Sequence, residues 1–236
     1  MSRYRSGLTF LIGLFVVVGL VVAGIFAVDS GARSRVERQI AEDLQESLAT
    51  PTEPGVTIEG SFFLSQLATH NVGRVHVVAD DIGSTANSSA VINHADLVIT
   101  DVTTTDWFRT MTASHIEGAG LIDYAALQAA ANTPLSYAGD GRIQTKTTAT
   151  VFGTTVVAKV SGVPTLDPDK QEISLSNPKI MVGQVDLPDF TAQALRAVLK
   201  PIPVAGLPLG LRLTSVAAEE HYLRVGVAAD QVPLQG

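Results

Sequence analysis

The first pattern along the chain is a run with no charge. Leu8 to Val28 spans 21 residues, and only Thr9, Gly13, Gly19 and Gly24 in it are not apolar. A helix of that length covers roughly 30 Å, the thickness of bilayer hydrocarbon. Beyond it the period changes. Val36, Ile40, Leu44 and Leu48 recur every four residues, with Ala32 and Ala41 beside them. Arg33, Glu37, Arg38, Glu42, Asp43 and Glu46 fill the other positions. This predicts an amphipathic helix with one buried stripe, capped by Asp29 or Ser30 and ended by Thr50-Pro51 and Pro54-Gly55.

Alternation with period two then takes over. Val56 to Ile58 reads as a short strand, and Gly60 to Leu67 as a short apolar helix or turn. Over 72–80, Val75, Val77 and Ala79 share one face and Arg74, His76 and Val78 the other. Asp80 to Ser84 reads as a turn and 91–105 as a strand. Asp106 is expected to cap a short helix holding Trp107, Phe108 and Met111, before a strand from Ser114 to Ile122. Asp123 then caps a helix with Tyr124, Leu127 and Ala131, stopped by Asn132 and Pro134. Arg142–Phe152 and Thr154–Val163 flank Gly153 as a hairpin. A turn over 164–170, a strand over 171–176, a break at Asn177-Pro178 and a strand over 180–185 follow. Asp189 caps a helix with Phe190, Ala194, Leu195, Val198 and Leu199, which Pro201 and Pro203 stop. Two strands close the chain, one reached through Leu207 to Leu211 and one from Tyr222 to Val227. The sum is an α+β domain of antiparallel hairpins with three or four helices, not a doubly wound α/β fold.

Charge and composition narrow the function. The chain has no cysteine, which excludes a disulfide scaffold, a thiol nucleophile, a Cys-ligated zinc and an iron–sulfur cluster. Lys and Arg number 16 against 23 Asp and Glu, a net −7 without any basic run. Such a chain is a poor nucleic-acid binder. Without residues 1–28 the balance is 14 against 23, or −9, because Arg3 and Arg5 are removed and no acid is. Electrostatic adhesion to an anionic membrane surface is therefore not expected to be the main attachment of the remainder.

Arg3 and Arg5 before the apolar run predict a signal anchor. The expected division is 1–7 cytoplasmic, 8–28 transmembrane and 29–236 exported to the periplasm or cell envelope. The run exceeds the ~7–15 apolar residues of a signal-peptide core. The alternative is cleavage after Ala32, with Ser30 at the −3 position, and secretion. Arg33, Arg35 and Arg38 follow the span, so the local basic count does not set its orientation, although long domains translocate despite such charges.

Catalytic constellations are missing. There is no G-x-S-x-G elbow, Walker loop or H-E-x-x-H. Gly118-Ala119-Gly120 reads as a strand kink. His70, His76, His94, His115 and His221 are scattered singly. His94 and Asp96 share a strand face, but two ligands are too few for a metal. Asp80-Asp81 and Glu219-Glu220 read as solvated turns. No catalytic residue, no metal and no cofactor are expected, and the protein is not expected to be an enzyme.

Three segments carry a family resemblance. Residues 58–82 read IEGSFFLSQLATHNVGRVHVVADDI, with Gly60, Phe63, Leu64 and Gln66 at the positions of a G-x-P-F-L-x-Q segment. Phe62 stands where proline is usual, and His70-Asn71 where a glycine is common. Ile122 to Leu127 is similar to a tyrosine-bearing helix start. Leu207 to Val216, then Leu223 to Val227 and Asp230-Gln231-Val232, complete the order. Together they resemble the LmeA-like family of exported actinobacterial phospholipid-binding proteins, over roughly 29–234.

The resemblance implies a tubular lipid-binding architecture: a strongly curved antiparallel β-sheet wrapped around a long amphipathic helix, behind the N-terminal transmembrane helix. It implies phospholipid as ligand, with phosphatidylinositol-type lipids suggested, and support of envelope lipid or lipoglycan (lipomannan-like) assembly or lipid transfer. The alternative is a non-enzymatic scaffold or accessory subunit for a membrane glycosyltransferase. Candidate groove residues are Ile40, Leu44, Phe62, Phe63, Leu64, Leu67, Trp107, Phe108, Leu127, Phe190, Leu195 and Leu199. Phe62-Phe63-Leu64 is the candidate lip, since consecutive apolar residues cannot all face one core. Arg74, Arg142 and Arg212 are the head-group candidates.

Overall fold

The computed structural model describes residues 27–60, 62–84, 91–105, 110–151, 154–182, 185–186, 201–204 and 206–234. The chain enters through a helix over residues 27–47 (α1). There follow β1 (Gly55–Ile58), α2 (Phe63–Ala68), β2 (Asn71–Ile82), β3 (Ile92–Thr105), β4 (Thr110–Asp123), α3 (Tyr124–Ala131) and β5 (Leu135–Gly139). Then come β6 (Arg142–Val151), β7 (Thr154–Asp167), β8 (Glu172–Val182), β9 (Val185–Asp186), β10 (Ile202–Pro203), β11 (Arg212–Ala218) and β12 (Tyr222–Leu234). The strands form two antiparallel sheets. The first is ordered β1-β2-β3-β4-β12-β11; the second is β10-β8-β7-β6-β5, with β9 on β8.

The first sheet curls along a line readable from its burial pattern. In β2 the inward positions step from Val72 to Val75, in β3 from Ile99 to Val102, in β4 from Ala113 to Ile116 and in β12 from Ala229 to Val232. Each step is three residues where a flat strand allows two. The extra residues are Gly73, Asp101, Ser114 and Gln231, and ladder pairing is interrupted at that one row across all four strands. Asp101 and Gln231 take φ of 51°. An extra residue bends and twists its strand. Because all four strands carry theirs at the same level, the register is unchanged on either side and one apolar face stays inside through the bend.

That face is the core. Phe63, Val75, Val77, Ile99, Ile116, Leu223 and Val225 form one cluster with Ile40, Leu44 and Leu48 of α1, and with Ile143 and Ile173 of the second sheet. The expectation of a sheet wrapped around a long helix needs correction. The antiparallel, curled sheet forms, but α1 is covered on one side only. Ser34, Arg35, Arg38, Gln39, Glu42 and Glu46 stay exposed, so the helix roofs the sheet and is not enclosed by it. Among the described residues no helix is long and apolar enough to cross a membrane. The predicted span lies almost wholly in residues 8–26, outside the described residues.

Other expectations shift for one shared reason. Asp80-Asp81 is not a turn: β2 runs through it, with Asp81 at φ 52°. Asn177-Pro178 does not break β8, where Asn177 takes φ 45° and the register against β7 shifts. Asp and Asn tolerate the left-handed conformation, which serves turns and strand irregularities alike. β7 runs on to Asp167, so only 168–171 turn. Met111 lies on β4 and not in a helix. The cap predicted at Asp123 has the right backbone, but its side chain makes no capping hydrogen bond. Asp106, Trp107, Phe108 and the helix predicted from Asp189 lie outside the described residues.

Candidate functional site

The motif residues build a latch between α1, α2 and the β1 edge. Asp29, Arg33 and Glu37 sit four apart, hence on one helix face. The Asp29 carboxylate, 4% exposed, accepts the Leu64 N–H at 2.7 Å and lies 3.6 Å from Arg33. Arg33 donates to the carbonyls of Gly60 at 2.7 Å and Ile58 at 3.3 Å. Glu37 accepts the Ile58 N–H at 2.8 Å. Gln66 donates to the Glu59 carbonyl at 2.9 Å and accepts the Gly73 N–H at 3.3 Å. Gly60 is required here. Its φ is 121°, and a Cβ would collide with the Gln66 amide. Sequence reasoning missed this role of Asp29, Arg33 and Glu37; their spacing of four beside the apolar stripe is the signal that could have shown it.

The latch sets the candidate lip. Phe63 points inward and is fully buried, while Phe62 is 46% exposed. Leu64 is half-buried between them and solvent. Val28, at the start of α1, is also exposed, and the Asp29–Leu64 bond holds the two segments together. Ile40, Leu44, Phe63 and Leu127 all belong to the one apolar cluster, but Phe63 opens α2 beside the start of β2, whereas Leu127 lies on α3, beyond the end of β4 at the opposite end of the sheet. Leu67 lies on α2. Phe190, Leu195 and Leu199, like Trp107 and Phe108, fall outside the described residues.

The three head-group candidates are spread apart. Arg74 pairs with Glu59 at 3.8 Å. Arg142 donates to the carbonyls of Ser161 at 3.1 Å and Asn177 at 2.6 Å. Arg212 donates to the Pro168 carbonyl at 2.7 Å. Each guanidinium thus holds a strand edge or turn, and no two share a site. The tyrosine motif is also structural. Tyr124 donates to the Glu219 carbonyl at 2.7 Å, tying α3 to the β11–β12 turn. Burial, with smaller contributions from Tyr137 and Glu219, pushes its pKa up to about 12, so it is a neutral donor. Glu219 is not a free turn acid, because it pairs with Arg224.

On the outer face of the first sheet lies an open depression of about 760 Å³. Ala119 and Ala228 line its floor, with Asp96, His115, Glu117 and Arg224 around it. Its charged walls already have partners, most of them beside the depression. His115 contacts Asp230 at 2.6 Å and Glu117 at 3.7 Å, and His76 meets Asp96 at 2.6 Å. His94 pairs with Asp80 at 2.7 Å rather than acting with Asp96. The hydrogen bond to Asp230, partly offset by desolvation, raises the His115 pKa. Among the described residues no group of three or more His, Asp or Glu could hold a metal ion.

The fold defines a class: a curled antiparallel β domain roofed by an N-terminal helix, with an apolar core and, among the described residues, no cluster of metal-ligating groups. Comparison gives the family. The chain matches the LmeA-like phospholipid-binding family over residues 27–228, and it belongs to that family. Neither a curated protein nor a solved structure matches it.

Proposed function

We propose that this is a membrane-anchored envelope protein whose domain holds a phospholipid by its acyl chains. Membership of a phospholipid-binding family over residues 27–228 carries the reading. The apolar cluster around Ile40, Leu44 and Phe63, with Phe62 and Leu64 at its rim, is the natural place for acyl chains. Each methylene removed from water there contributes roughly 0.8 kcal/mol. The apolar run from Leu8 to Val28 serves as the anchor, with 29–236 outside the membrane. The ligand is a phosphatidylinositol-type lipid, and the protein supports envelope lipid or lipoglycan assembly by presenting or transferring it.

The test is lipid mass spectrometry of the full chain purified in detergent, beside an unrelated single-span protein. Phospholipid retained near one per chain and enriched in phosphatidylinositol is the expected result. Lipid no higher than in the comparison protein, together with no transfer of labelled lipid between vesicles, would sink the reading. A lipid-free chain that co-purifies with a glycosyltransferase would instead make it a scaffold. Turnover of the bound lipid would make it an enzyme.

A further inference from the structure

The outer face of the second sheet carries a feature that the acidic net charge conceals. Lys146 and Lys159 stand directly opposite each other in the β6–β7 register. Lys159 in turn faces Met181, and Ser161 faces Lys179, in the β7–β8 register. Val157 lies two residues before Lys159, on the same face. Three of the chain's five lysines thus gather within two rows of one sheet. All three are exposed. Among the described residues none has an ion pair or a hydrogen-bonded partner. Val157 at 60% and Met181 at 38% are two of four exposed large apolar side chains among the described residues. Asp186 stands opposite Met181 at the margin of the patch.

Like charges directly opposite across a strand pair are destabilising. Exposed valine in a strand is likewise better covered than wet. Both costs fall if the face meets a surface that is anionic and has an apolar layer beneath. We infer that this face docks on the anionic surface of a phospholipid bilayer. The lysines contact lipid phosphates, and Val157 and Met181 enter the interface. Charge complementarity selects that occupant: a protein partner would need a matching acidic patch, whereas anionic lipid offers negative charge above hydrocarbon. The inference rests on the phospholipid reading only for the choice of surface, because the bound lipid sits elsewhere.

The chain has no cysteine, so Val157→Cys in the full chain takes one environment-sensitive fluorophore. Asp169→Cys, in the turn after β7, is the control position. The labelled chain is reconstituted into phosphatidylcholine vesicles with or without phosphatidylglycerol. The expected result is a blue-shifted emission at position 157 only when phosphatidylglycerol is present. It is lost in high salt, and lost in Lys146→Glu/Lys159→Glu/Lys179→Glu, with no shift at position 169. The milder Lys→Gln triple variant should lose most of the shift while keeping the circular-dichroism spectrum of the parent. An equal shift in neutral vesicles, no shift in either, or a shift produced by inorganic phosphate alone would overturn the inference. Lipid extraction from the Glu variant separates the two readings. Retained lipid with a lost shift leaves the binding site standing and places docking on the lysine face. The expected shift in a parent chain that carries no bound lipid would sink the binding site alone, and a shift retained in the Glu variant would overturn the docking.

Discussion

On the outer face of the first sheet, His76, His94 and His115 each meet a carboxylate on a neighbouring strand, and Arg224 meets Glu219. On the outer face of the second, Lys146 and Lys159 meet each other. The inner faces differ as well. Ile99 and its neighbours in the first sheet belong to one continuous cluster with α1, which Ile143 and Ile173 of the second join; among the described residues Ala158, Val160 and Ile180 are buried without joining it. One sheet satisfies its own charges and packs its own interior. The other buries its inner face as well, but on its outer face it leaves lysines and the apolar Val157 and Met181 exposed. Net charge, −7 for the chain, averages two surfaces that are built oppositely.

The interior contrast is tested by one substitution made twice. Ile99 and Ile180 are both 2% exposed, so Ile→Ala removes the same atoms from equally dry sites. Such changes cost about 2–5 kcal/mol, more where neighbours cannot collapse into the cavity. Ile99→Ala, inside the continuous cluster, should lie near the top of that range and Ile180→Ala near the bottom. Urea unfolding measures both. Equal losses would erase the distinction between the inner faces.

The latch belongs to the first sheet's side, and its removal is the next largest effect. Asp29→Ala leaves the Leu64 N–H without its acceptor and removes the carboxylate beside Arg33, which keeps the Gly60 and Ile58 carbonyls. A buried donor stranded in this way costs about 1–3 kcal/mol. Asp29→Asn keeps one acceptor oxygen and should recover part of the loss. Faster amide exchange at Leu64 in the Ala variant would show that the lost contact is this one. Unchanged exchange would mean that the latch is not what holds α2 to α1.

Much of this was legible from the chain alone, and what was not has a physical cause. The alternation over 72–80, the β6–β7 hairpin and the α3 helix follow from periodicity and turn residues, and the resemblance over 58–82 led to the family. The curl was hidden, because Asp101, Ser114 and Gln231 look like ordinary strand letters until their row is seen. Asp81 and Asn177 misled because the same residue types suit turns. The lysine face was invisible for another reason. Positions 146, 159 and 179 are far apart in sequence, and only the register places them together. A count of charge could not find them, and it argued against electrostatic adhesion to a membrane.

Making the second sheet resemble the first sharpens the contrast between outer faces. Lys159→Glu replaces a like pair with an opposite one against Lys146. Cross-strand pairs of this kind are worth about 0.2–1 kcal/mol, so the variant should be more stable by that order in low salt. The gain should fade as salt screens it. A loss of stability would mean that the lysines are satisfied as they stand, and that the two faces are less different than their charges suggest.

The smallest effect tests the first sheet's own pairing. The hydrogen bond from His115 to Asp230, against some desolvation and with help from the charges of Asp230 and Glu117, raises the histidine pKa above 6.5. A raised folded pKa means that the proton binds more tightly in the folded state than in the unfolded. The stabilisation is therefore complete below the unfolded value and is lost as pH rises through the folded one. Asp230→Asn should be less stable than the parent just below pH 6.5, where imidazolium and carboxylate are both charged. The gap should close at alkaline pH. With Asp230 79% exposed, solvent screening holds it to about 0.2–1 kcal/mol. Denaturation midpoints across that window read it directly, and the His115 ring resonances give the midpoint of titration. A gap that does not change with pH would mean that the contact is a neutral hydrogen bond. The first sheet's face would then be no better paired in charge than the lysines of the second.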